Sequence, residues 1–145
     1  MRSKSQRGNA LLEFALGFSL LWALFGGIFQ FGYTFYIYNR LMTAVNDAAL
    51  QGSKLQYDTG NTTKFTNAVT NMVLYGSTSS GNSVSIPGLA SSNVSVSANL
   101  QNSMPTYVTV SIANFTVNGV FTSFTFNGKP SVTMPYMGSV TCSTC

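Results

Sequence analysis

A chain of 145 residues has room for one small domain plus an anchor, and not for two independent cores. Only 7% of its residues are charged, and the net charge of +4 leans on Arg2, Lys4 and Arg7 at the extreme amino terminus, so no basic patch remains to bind nucleic acid. Histidine is absent, which removes the commonest general base and metal ligand, and Asp47 and Asp58 show no paired-acid spacing; no enzyme activity, cofactor or metal is expected.

Taken in chain order, a short basic leader closes on Gly8 and gives way to an apolar stretch that carries no charge from Phe14 to Asn39. Those 26 residues would extend about 39 Å as a helix, more than the roughly 30 Å of a hydrocarbon core. Basic residues cluster before the segment and only Arg40 follows closely, which favours a cytoplasmic amino terminus and an exported remainder. A cleaved secretory signal shares the basic-then-apolar pattern. This run is too long for one, however, and Phe29, Phe31, Tyr33, Phe35, Tyr36 and Tyr38 stand where small residues would mark a cleavage site. The tyrosines instead suit an interfacial belt. Gly26, Gly27 and Gly32 are small enough to let a partner helix approach.

Glu13 interrupts the beginning of this segment. A carboxylate in hydrocarbon costs about 2.5 to 3.5 kcal/mol on insertion scales. Its position one helical turn inside therefore asks for a partner.

Beyond the segment, Ile37, Leu41, Ala44, Val45 and Ala48 keep helical spacing, so the first helix is predicted to run to about Gly52. Tyr57 to Thr63 reads as a loop. A short second helix is predicted over about 62–75, with Asn61 or Thr62 as its cap and Gly76 as its stop, followed by a Ser/Gly-rich connector from Ser77 to Ser83. From Val84 the period falls to two. Val94, Val96, Ala98 and Leu100 alternate with polar residues, as do Val108, Val110 and Ile112. Phe121, Phe124 and Phe126 break alternation once, predicting a bulge or bend near Thr122, and Asn127-Gly128 predicts a turn before a last strand of Val132, Met134 and Tyr136. The fold class is α+β: a long amino-terminal transmembrane or amphipathic helix, a short second helix, and one small antiparallel sheet of about three to five strands packed on both.

Cys142 and Cys145 form a C-x-x-C pair at the carboxy terminus. Neither a βαβ context nor a second pair supports redox or zinc chemistry, and a small-loop disulfide is the expected state in an exported compartment.

The residues Arg7, Gly8, Glu13 and Phe14 resemble the amino terminus of a type IV prepilin. The run from Arg7 to Leu16, continued by Phe25-Gly26-Gly27-Ile28-Phe29-Gln30-Phe31-Gly32, is similar to the TadE-like family of minor pilins, or pseudopilins, of tight-adherence pilus systems. The resemblance implies a prepilin peptidase cutting between Gly8 and Asn9, with Glu13 as the fifth residue of the mature chain. It also implies docking through Glu13 and Phe14, the carboxylate meeting the free amino group of a neighbouring subunit. Opposite charges of that kind are costly apart and favourable together in low dielectric. The implied partners are the peptidase, other pilins or pseudopilins, the inner-membrane assembly platform and the lipid bilayer. The implied location is the bacterial inner membrane, crossed once, with incorporation into or beneath a pilus. Two positions depart from the family's habit: Ser19 stands where a proline is common, and Asn9 where mature type IV pilins often begin with phenylalanine. On this reading residues 1–8 are the leader, 9–39 the transmembrane helix and 40–145 the exported domain, β-rich over 84–137. The rival is an uncleaved, single-pass envelope protein whose β-rich domain binds a surface ligand or partner. A membrane oxidoreductase using Cys142 and Cys145 is a third.

Overall fold

The computed structural model describes residues 6–81, 83–102, 104–119 and 121–141. Cys142 and Cys145, and with them the expected disulfide, lie outside the described residues.

One helix dominates the molecule. α1 runs unbroken over Gln6–Gly52, 47 residues, or about 70 Å at 1.5 Å per residue. It contains no proline and continues through Ser19, whose hydroxyl donates back to the Leu16 carbonyl at 2.9 Å. Its two halves live in different surroundings. Every side chain from Asn9 to Phe25 is exposed. From Gly26 onward a stripe recurs at intervals of three and four residues: Gly26, Gln30, Thr34, Ile37, Leu41, Val45, Ala48 and Gly52 are each buried or half-buried. The stripe thus begins eleven residues earlier than the Ile37 expected from apolar spacing.

α2 spans Thr62–Tyr75 and turns Phe65, Val69, Val73 and Leu74 inward. Asn61 occupies the cap position but makes no side-chain cap bond. At the other end Gly76 adopts φ +70°, and its N–H donates to Met72 at 2.9 Å. That left-handed stop is one glycine takes at little steric cost. The two helices meet closely where α1 ends: a Cβ on Gly52 would stand 3.0 Å from a Val69 methyl.

Among the described residues the strands form three small sheets rather than the single one expected. The largest has the order β2-β3-β6, with β2 at Val94–Gln101, β3 at Met104–Ile112 and β6 at Ser131–Pro135, all antiparallel. Its register places Val96 opposite Val110 and Val110 opposite Val132, so alternate residues of the central strand face the helices while Thr109 and Thr133 pair outward at 2.8 Å. Val108, Val110 and Ile112 close over Leu41, Val45, Val69 and Val73, and all seven are fully buried.

The second sheet is the hairpin of β4 (Phe115–Asn118) and β5 (Ser123–Phe126). Of the bulge or bend expected near Thr122, the structure has the bend, which is the turn of this hairpin, and a register irregularity falls between Asn99 and Leu100. Phe115 and Val117 bury themselves, and the chain reverses between Asn118 and Ser123, where the Gly119 N–H donates to the Thr122 carbonyl at 3.1 Å. Asn127-Gly128 does turn the chain, with Gly128 at φ +72°, but it passes from one sheet to another.

The third sheet lies where a loop was expected. β1 (Tyr57–Asp58) pairs in parallel with β7 (Val140–Thr141), neither of which the hydropathy pattern marks. Tyr57 is buried edge-on against Phe65, 5.1 Å between ring centres, and against Tyr136 at 6.4 Å. The Tyr136 hydroxyl lies 2.6 Å from the Leu55 carbonyl and 2.9 Å from that of Ser139, while the Met137 N–H donates to Ser53 at 2.7 Å. These bonds fasten the last described strand to the segment that leaves α1.

Leu41→Ala is expected to cost about 2 to 5 kcal/mol by deleting buried methyls from a site with no room to collapse, whereas Leu20→Ala on the exposed half should cost the folded domain almost nothing; denaturant titration in detergent compares them. Burial holds the Tyr136 phenol above the ordinary tyrosine value; a backbone hydrogen bond from Tyr57 opposes this rise, and the Tyr57 charge adds to it. The neutral phenol is therefore favoured by folding, a contribution intact below about pH 10 and lost as pH climbs through the raised value. Thermal melts taken across that alkaline range should fall more steeply for the wild type than for Tyr136→Phe.

Candidate functional site

The exposed half of α1 is the chemically distinctive surface of the molecule. Leu11, Leu12, Phe14, Leu16, Phe18, Leu20, Leu21, Trp22, Leu24 and Phe25 are all more than half exposed and point in every direction around the axis. A soluble helix hides one apolar face; this one hides none. Over Asn9–Gly52 the helix is long and apolar enough to cross a membrane, with a mean hydropathy of 1.8 in its scored window.

Glu13 and Phe14 sit near the start of this rod, both exposed. Asn9 and Glu13 are four residues apart and so share a face. Phe14, Phe18 and Trp22 continue as a ladder of rings with centres 6.1 and 6.4 Å apart and planes inclined by 22° and 23°. Described helix precedes Gly8, beginning at Gln6, which places the expected processing bond within the first turns of α1. The sequence-derived residues Gly8, Asn9, Glu13 and Phe14 are therefore gathered at one end of one helix.

A second feature was not foreseen. The β4–β5 hairpin lies along the rod from Gly26 to Tyr38: Phe124 leans on Phe31 at 6.2 Å, and Phe126 on Tyr38 at 5.6 Å. Gln30, only 4% exposed, holds the turn with both ends of its amide. Its nitrogen donates to the Thr122 carbonyl at 2.7 Å, and its oxygen accepts from the Phe121 N–H at 3.2 Å. Two glycines permit the approach. A Cβ on Gly119 would collide with the Gln30 amide, and one on Gly26 with the Phe121 ring. Gly27 and Gly32 face open space and leave room for a neighbour. The available signal was a lone glutamine in an otherwise apolar run, since a buried amide needs partners.

Where the hairpin ends, charge returns. The Arg40 guanidinium lies 5.9 Å from the Tyr36 ring centre and donates to its hydroxyl at 3.4 Å. A groove of about 450 Å³ between α1 and α2 is lined in part by Tyr36, Arg40, Asp47 and Ile86. It brings together one carboxylate and one guanidinium. Among the described residues no three of His, Cys, Asp and Glu gather where a metal ion could be held.

Nothing matches the chain among curated proteins or solved structures. Residues 8–50, nearly the whole of α1 and none of the β-rich domain, match the family model described as TadE-like protein, the family that the run from Arg7 to Leu16 resembles.

Proposed function

We propose that this chain is a non-catalytic, membrane-anchored pilin-like subunit that serves the assembly or structure of a tight-adherence pilus, with residues 1–8 removed between Gly8 and Asn9. The observation that carries the reading is the all-round exposure of the apolar rod with a single carboxylate one turn from its start. The TadE-like match over that same segment supports it.

Such a rod needs apolar surroundings along its whole circumference. Lipid supplies them while the subunit is stored, and the helices of other subunits supply them in a filament, where Gly27 and Gly32 allow close approach. Cleavage creates an ammonium at Asn9. Within one chain it falls a helical turn from Glu13, and the carboxylate also benefits from the positive end of the shortened helix. Between chains the same pair gives axial register, because a charge moved into hydrocarbon without its counter-charge is strongly disfavoured. Phe14 and the ring ladder beside Glu13 add apolar contact at the same level. The Gly8–Asn9 bond of this reading lies in the first described turn of α1, and a peptidase would need that turn opened locally. The assembly platform of the inner membrane and other pilins or pseudopilins are the partners of this reading.

Mass spectrometry of membrane-extracted protein from a cell that holds the maturing peptidase should give a chain beginning at Asn9; an intact leader supports the uncleaved envelope-protein reading instead. Glu13→Gln keeps shape and removes charge. Stranding the amine should cost about 3 to 5 kcal/mol, so subunit recovered in sheared pili should fall at least about a hundredfold while the membrane-bound amount is unchanged. Wild-type incorporation by that variant would exclude the docking role.

A further inference from the structure

We propose that the turn of the β4–β5 hairpin is a second membrane contact, with Phe121 seated among the acyl chains of the leaflet on the exported side and Gln30 pairing the Phe121 N–H and the Thr122 carbonyl there. This rests on the reading of α1 as a membrane anchor.

The level of the turn along α1 is the first argument. With the cytoplasmic edge of the core set at Asn9, where the proposed mature chain begins, Gly26 lies 17 residues further on, about 26 Å along the helix and just inside a hydrocarbon core of roughly 30 Å. The Phe121 ring rests over Gly26, so it shares that depth. Gln30, one turn further, falls at the boundary itself.

The chemistry of the turn is the second. From Phe115 to Phe126 the hairpin carries no charge, so entering the edge of the bilayer needs no ion to be desolvated. Phe121 is 58% exposed and, with Trp22, Phe25, Gly26 and Phe29, walls an apolar cleft of about 430 Å³. That cleft is continuous with the bare rod below it, which on the same reading is already in lipid. A lipid chain is the occupant that both surfaces share.

Backbone polarity is the third argument and the most specific. A turn cannot enter hydrocarbon with its amides unpaired, each such group costing several kcal/mol. Here the Phe121 N–H and the Thr122 carbonyl are taken by the two ends of the Gln30 amide, and the Gly119 N–H donates to that same carbonyl at 3.1 Å. In water these bonds would be replaceable by solvent, and a glutamine in the middle of an apolar helix would be an avoidable expense. At the edge of a bilayer the glutamine is the group that lets the turn descend. The anchor would then leave hydrocarbon near Gln30 rather than at Asn39, with Tyr33, Tyr36 and Arg40 above it.

The chain has one tryptophan, Trp22, which makes the test direct. Full-length wild type and a Trp22→Phe/Phe121→Trp double variant are reconstituted in phosphatidylethanolamine–phosphatidylglycerol vesicles containing lipids brominated either near the headgroup or near the chain end. Trp22 quenching in the wild type reports the anchor. The indole that the double variant carries in the hairpin turn is expected to emit at short wavelength and to lose more intensity to the shallow bromines than to the deep ones. Adding Gln30→Leu to the double variant should shift its emission to the red and abolish quenching. A quenched Trp22 in the wild type, with an unquenched, water-like turn indole in the double variant, overturns the proposal and leaves the anchor standing. Quenching of neither overturns both. Quenching of the turn indole that survives Gln30→Leu overturns the role given to the glutamine.

Discussion

A single uninterrupted helix must satisfy two solvents, and the rest of the structure follows from how it does so. From Gly26 to Gly52 the helix has a stripe that the chain covers for itself, with α2, the β2-β3-β6 sheet and the β4–β5 hairpin. From Asn9 to Phe25 nothing in the described chain covers it. Burying apolar surface contributes about 25 cal/mol per Å², so the bare half is a standing demand for an external apolar medium. The carboxy-terminal domain is in that sense the complement of the rod: it ends where the rod's need for other surroundings begins.

The cover is graded along the axis. At Leu41 and Val45 it is a dry core of aliphatic side chains, in which both are fully buried. At Tyr38 and Phe31 it thins to ring contacts with Phe126 and Phe124. At Gln30 it is a pair of hydrogen bonds, and below Gly26 it stops. Hydrogen bonds placed at the far end of the hairpin fix its position along the helix more sharply than apolar contact can, because an amide has two addresses to meet and a phenylalanine has none.

Much of this was legible in the residues. The helix to Gly52, the second helix with its Gly76 stop, and the alternation of β2 and β3 all follow from periodicity, because in each case one side of the element is apolar and the other is not. The extension of the stripe below Ile37 was not legible, since a segment apolar on all sides shows no preferred face and the covered positions there are Gln30, Thr34 and Gly26. The three-way division of the strands was hidden for a different reason. Asn118-Gly119 and Asn127-Gly128 carry the same dipeptide, and only the burial of Phe115 and Val117 decides that the first closes a hairpin while the second bridges two sheets. β1 and β7 are two residues each and leave no period to detect. At the candidate site, Glu13 was marked by its charge against an apolar background and Gly8, Asn9 and Phe14 by resemblance to a type IV prepilin terminus, whereas Gln30 is neutral and its partners lie 91 and 92 residues away.

The absence of proline throughout α1 has a mechanical consequence. Where a proline would offer a hinge, Ser19 keeps the hydrogen-bond ladder intact and adds a bond to Leu16. Torque or tension applied to the lower rod is then delivered undiminished to the cluster around Leu41 and Val45, and the external lobe swings with the shaft as one rigid lever. The orientation of the bare end is thereby coupled to that of the domain's outer face.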